Sequence, residues 1–183
     1  MEIQIFAEGD DINFLTQYIN HLGLPVKRVI TNNTQGWTNL KMVHGKFDEA
    51  TNKGVINLVV FDANGDFEQR KKDLEKEKKS LNIQFELFLF PDDFQTGMVE
   101  TLLLDIVPEA QKPFLDCFDA YWNSIQQLNP NFKFSFKSKF FAYLEATGQN
   151  HKMKEINFLD NNHWNLNSPA LDNLKAFLYK NIH

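Results

Sequence analysis

At 183 residues the chain is long enough for one compact domain with a sizeable core, and at most a small appended subdomain, which excludes two independent domains. An ordinary apolar share with 18 phenylalanines excludes a disordered chain and predicts a core rich in aromatic packing. A net charge of −5 excludes a general polyanion binder, so any attraction for nucleic acid must come from a local basic patch or from cations that neutralise carboxylates.

The start, MEIQIFAEGDD, has acids where a signal peptide needs bases, and no apolar run approaches the roughly 20 residues of a membrane helix. A soluble cytoplasmic protein is expected. IQIFA, residues 3 to 7, reads as a short strand ending at Glu8 and Gly9. A helix follows, which Asp10 or Asp11 can cap; Phe14, Leu15, Tyr18, Ile19 and Leu22 recur at helical spacing, and Gly23 with Pro25 stops it. VKRVIT, residues 26 to 31, is a second strand, NNTQGWTN a loop, and Leu40 to Asn52 a weak helix ending near Gly54.

VINLVVFD, residues 55 to 62, is the clearest strand: β-branched and apolar on both faces, as a central parallel strand requires. From Asp66 to Asn82 the chain is helical by propensity, and its strong apolar positions, Phe67, Leu74 and Leu81, recur every seven residues. So narrow a stripe predicts a mostly solvated helix whose charges pair with one another. FELFLF, residues 85 to 90, is another strand, stopped by Pro91 and the acidic loop DDFQTG. Helices are predicted over about 98 to 105 and 113 to 128, where Cys117, the single cysteine, reads as a buried structural thiol among Phe114, Leu115 and Phe118. The aromatic and basic stretch FKFSFKSKFFAYLEATG comes next, then a terminal amphipathic helix over about 168 to 179.

Strands alternating with helices over the first 90 residues define an α/β fold: a mostly parallel four-stranded sheet flanked by helices over 1–105, with a helical C-terminal extension over 106–183 packed on it. Ligands of such sheets gather beyond the carboxyl ends of the strands. Glu8, Asp62 and the Asp92/Asp93 pair each follow a predicted strand, so three acidic clusters are expected to converge on one edge. Clustered carboxylates imply a cation or a shared proton. Mg²⁺ or Mn²⁺ suits oxygen ligands of this kind.

In FDANGDFE, Asp62, Asn64 and Asp66 alternate through a glycine-containing bend that suits a hard cation and equally suits a tight turn. Asp10, Asp11 and Asp66 can equally be helix caps. A calcium loop fits poorly, because Phe67 stands where that loop needs glycine and Asp73 where it needs glutamate. Glu8, before a glycine at a strand end, has no common structural role. Lys133, Lys137 and Lys139, interleaved with Phe132, Phe134, Phe136 and Phe140, can offer phosphate contacts and stacking faces to a nucleic-acid strand, or form a half-buried extended segment with lysines in water. The five histidines, His21, His44, His151, His163 and His183, show no metal-ligand spacing.

FAEGDDINFL, VVFDANGD and FPDDFQTGMVETLLL, in that order after successive strands, resemble the Toprim domain of topoisomerases, bacterial primases, 5S ribosomal RNA maturases and overcoming-lysogenization-defect nucleases. More narrowly, they are similar to small, uncharacterised Toprim-like proteins, over roughly residues 1 to 105. The resemblance implies a Toprim-like fold, an acid-base or metal role for Glu8, and Mg²⁺ binding by Asp62. It departs at Asn64, which stands where the second Asp of the Asp-x-Asp pair belongs, and at Asp10 and Asp11, which follow Glu8-Gly9 without a basic residue. Glu100 matches a glutamate that the related nucleases place near a second metal. The expected activity is Mg²⁺-dependent chemistry on phosphodiester bonds, most simply a nuclease, with a metal site of Asp62, Asn64, Asp66 and Glu100; the alternative is a binding module on the same fold with a weakened site. A phosphoacceptor receiver domain is disfavoured, because no lysine follows a later strand.

Overall fold

The computed structural model describes residues 2–34 and 36–182. Four strands, β1 (Glu2–Ala7), β2 (Arg28–Asn33), β3 (Ile56–Asp62) and β4 (Glu86–Phe90), form one sheet in the order β2-β1-β3-β4. Every pairing is parallel. The fold is α/β, with helices on both faces of the sheet, as a parallel sheet demands.

Alternation along each strand sends side chains to two cores. Ile3, Ile5 and Ala7, with Leu58, Val60, Phe88 and Phe90, pack against α1 (Ile12–His21) and α4 (Val99–Asp105). Phe6, Val59, Phe61 and Leu89 pack on the other face against α2 (His44–Asn52), α3 (Phe67–Ser80) and a 3-10 turn, Trp37–Met42. As its sparse stripe predicts, α3 buries only Phe67 and Leu74. Among the apolar residues of the second face lies a polar knot: Gln4 Nε2 donates to Asn57 Oδ1 at 3.0 Å, and Asn57 Nδ2 donates to the Gln84 carbonyl at 3.0 Å. Both side chains are thereby satisfied inside the core.

The rest of the chain is helical: α5 (Lys112–Leu128), α6 (Ser138–Ala146) and α7 (Asp172–Asn181). Phe140, Tyr143, Leu144, Phe158, Trp164, Leu174 and Leu178 complete the core over the α1/α4 face. One expectation is corrected here. Cys117 is exposed, because α5 fully buries only Leu115 and turns most of its length to solvent. FKFSF pairs with no strand among the described residues: Phe132 and Phe134 meet edge to face at 5.0 Å and Phe134 packs on Phe118 of α5 at 5.4 Å, so aromatic contacts hold this stretch. Among the described residues no helix is long and apolar enough to cross a membrane.

The topology decides where a ligand belongs. The chain runs from β1 outward to β2, returns to β3 on the other side of β1, and moves outward again to β4. Direction therefore reverses between β1 and β3, the switch point at which open parallel sheets leave a crevice beyond their carboxyl ends.

Candidate functional site

Ala7 is level with Val60 across the β1–β3 ladder, so Glu8 and Asp62 leave the sheet within about one residue of each other, on strands some 4.8 Å apart. Beyond Glu8 the backbone turns left-handed at Gly9, φ 56°, a conformation glycine adopts without strain. This turn brings Asp11 to the start of α1. Asp11 occupies the cap position but makes no side-chain cap bond. Its carboxyl is instead buried, with 8% of the residue exposed.

The third arm comes from α4. Asn64 and Gly97 exchange both backbone bonds, Asn64 N–H to the Gly97 carbonyl at 2.6 Å and the reverse at 2.9 Å, clamping the loops after β3 and β4 together. The clamp delivers the first residue of α4 to the site, and Val99 N–H donates to Asp62 Oδ1 at 2.8 Å. Glu100 follows, 4% exposed, with Oε1 2.6 Å from the Lys137 ammonium that precedes α6. Gly97 has φ 150°, and a Cβ there would meet Pro91 Cδ at 3.0 Å and Thr101 Oγ1 at 3.1 Å. Gly97→Ala is therefore expected to cost about 1–3 kcal/mol in a denaturant melt. A neutral result would show that the clamp is loose.

Glu8, Asp11, Asp62, Glu100 and Lys137 line one cavity of about 520 Å³, with Asp10, Phe141, His151 and Lys152 at its mouth. Burial dominates its electrostatics. It pushes Asp11 up to about 9, helped by the charges of Asp62 and Glu100. It lifts Asp62 to about 7 against the Val99 hydrogen bond, with Glu100 and Glu8 adding repulsion. It raises Glu8 too, while Arg70 and Lys137 pull the other way. Burial works to lower Lys137, but the hydrogen bond and charge of Glu100 outweigh it and the ammonium is held above its usual range. Two oxygens, Glu8 Oε1 and Glu100 Oε2, are buried without a hydrogen-bond partner among the described residues.

Of the residues singled out in the sequence, Glu8, Asp62 and Glu100 meet in this cavity, and Lys137 joins them as a counter-charge. Asn64 and Asp66 do not line it. Asn64, in the left-handed region at φ 57°, turns its amide toward the Asp62 carbonyl at 3.5 Å, and Asp66 caps α3 by accepting from Gln69 N–H at 2.9 Å. Asp92 closes its own loop through Phe94 and Gln95 N–H, and Asp93 accepts from Leu89 N–H at 3.2 Å. Lys139 pairs with Asp119 at 2.7 Å, and Lys133 is exposed. Asp11 is the carboxylate that spacing alone assigned to a cap. Of the histidines, His151 reaches the cavity mouth, where it pairs with Glu145 at 2.7 Å, and His183 lies outside the described residues.

Among the described residues no three His, Cys, Asp or Glu side chains are grouped so as to hold a metal ion. The donors nevertheless suit a hard cation: all are carboxylates, two of their oxygens are unpartnered, and the contact that draws Glu100 aside is a flexible lysine stem whose side chain is 46% exposed.

A parallel α/β fold with a carboxylate-lined crevice at its switch point thus defines the class. The chain belongs to the family described as protein of unknown function (DUF3226), whose model matches residues 3–182. No curated protein and no solved structure matches it.

Proposed function

We propose that the chain is a Mg²⁺-dependent enzyme acting on phosphodiester bonds, most simply a nuclease of Toprim type. The observation that carries this reading is that Glu8, Asp62 and Glu100, far apart in sequence, line one cavity at the switch point with two unpartnered buried oxygens. Asp62 and Glu100 would supply the cation's protein oxygens, with water and substrate filling its other positions, and Glu8 is left free; the cation when bound would neutralise phosphate charge and make a water more acidic.

The chain's own groups supply the proton transfers. Glu8, whose affinity for a proton burial increases, takes a proton from the attacking water. Asp11, whose protonated form burial favours, gives a proton to the departing oxygen. Lys137 brings positive charge to a phosphate in a cavity otherwise lined by acids.

One observation favours a second reading. The Lys137–Glu100 pair already neutralises part of the cluster at 2.6 Å, as it would in a binding module that has lost its metal. Melting curves separate the two. A ligand at about 100 times its Kd adds roughly 2.7 kcal/mol, so millimolar Mg²⁺ or Mn²⁺ is expected to raise the melting temperature of the wild type, and Asp62→Ala and Glu100→Gln to remove the rise. The same variants should lose Mg²⁺-dependent cleavage of single-stranded DNA or RNA. A wild-type melting temperature that ignores both metals would leave the module reading in possession.

A further inference from the structure

We propose that the cavity beside the carboxylate site is a base pocket, and that the substrate is a single-stranded nucleic acid with one unstacked base seated there. The proposal rests on the phosphodiester reading above and names its substrate class.

This second cavity, about 420 Å³, is lined by Asn64, Gly65, Thr96, Gly97, Met98, Thr101 and Phe136. It is built from the same three segments as the carboxylate cavity. Asn64 and Gly65 follow Asp62 in the turn after β3; Met98 and Thr101 flank Glu100 at the start of α4; Phe136 immediately precedes Lys137. Consecutive Cα atoms lie about 3.8 Å apart, so the two cavities adjoin across the Phe136–Lys137 peptide. A ligand that fills both must have an anionic end for Lys137 and a flat, largely apolar end for the neighbour. A nucleotide has that division.

Phe136 supplies the stacking face. Its neighbour Phe134 is packed into the aromatic cluster on α5, whereas Phe136 is 86% exposed on the cavity wall. An exposed phenylalanine alone says little. Here it stands beside an ammonium and shares its cavity with edge-reading groups: the Asn64 amide and the Thr96 and Thr101 hydroxyls can bond a base edge that no partner strand occupies. Charge complementarity runs the same way, since Lys137 and Lys152 line the phosphate side and exposed Lys133 lies four residues before Lys137. The pocket needs a base whose face and edge are both free, which a duplex does not offer. The overall charge of −5 also disfavours the denser duplex backbone.

The test compares fluorescein-labelled dT10 with an abasic strand of the same length by anisotropy in EDTA, where binding is read without metal-dependent cleavage. The wild type is expected to prefer dT10 by roughly tenfold, the effect of one stacked base, and to bind duplex of that length at least about tenfold more weakly. Phe136→Ala should erase the preference and Phe136→Trp keep it, with unchanged melting curves because the side chain is exposed. Equal binding of the two strands, no binding of dT10, or a preference that survives Phe136→Ala would overturn the pocket. Failure of the two proposals is distinguishable. A Phe136-dependent preference without Mg²⁺-dependent cleavage would keep the pocket and remove the enzyme, and cleavage without base preference would do the reverse.

Discussion

Asp11→Asn is expected to stabilise the protein at pH 8 by on the order of 5 kcal/mol and to lessen the loss of stability between pH 5 and 9. Burial moves this carboxyl from its ordinary 3.8 to about 9, with Asp62 and Glu100 adding like charge. Between those values the folded chain keeps a proton that the unfolded chain has released. Stability from this group is therefore fully present below the lower value and is lost as pH rises, by up to about 1.4 kcal/mol per unit, until it levels above the upper one. Asparagine keeps the shape of the protonated acid and cannot ionise, so it removes one proton from the slope. Asp62, lifted to about 7, leaves a slope of the same sign and similar size that ends near pH 7. Urea melts of wild type and variant from pH 5 to 9 measure both quantities. Equal slopes in the two proteins would mean that Asp11 is ionised in the fold.

Such a burden on stability makes sense only at a site that uses it. The sequence foreshadows part of that site. Strand ends are legible because the apolar runs stop abruptly at Glu8 and Asp62, and all four strands appear where alternation and β-branching place them, within two residues or so. FDANGDFE shows what short-range reading misses. Its three side-chain oxygens would share a face only if the chain stayed extended, but the bond exchange between Asn64 and Gly97 turns it left-handed at Asn64. Asp62 thereby stays with the cavity, while Asp66 is turned away to cap α3. Gly97 lies 33 residues further on, and nothing in the octapeptide announces it. Asp11 was hidden for a different reason: an acid before a helix is usually a cap, and only burial against Asp62 and Glu100 shows otherwise. Lys137 was visible as a base in an aromatic stretch, but its pairing with Glu100 joins segments whose proximity depends on how α6 packs against α4.

That pairing carries the second large effect. Lys137→Met is expected to destabilise the metal-free protein by about 2 kcal/mol while making it more responsive to Mg²⁺. Glu100 is 4% exposed and its Oε1 lies 2.6 Å from the ammonium, with Oε2 unpartnered. Removing one partner of a fully buried pair costs roughly 3–5 kcal/mol, because the survivor is left charged and dry. Here the lysine is half-exposed, so water can reach part of the gap and the smaller figure applies. Methionine keeps most of the stem packing, which isolates the charge. Adding Glu100→Gln to Lys137→Met should restore most of the loss, a coupling of at least about 1 kcal/mol in a double-mutant cycle. In the single variant a divalent cation has no ammonium to compete with, so millimolar Mg²⁺ should raise its melting temperature more than it raises that of the wild type. If Lys137→Met melts like the wild type and responds to Mg²⁺ no more strongly, then solvent rather than Lys137 satisfies Glu100, and the lysine stays available for the phosphate of a substrate in the bound and the free protein alike.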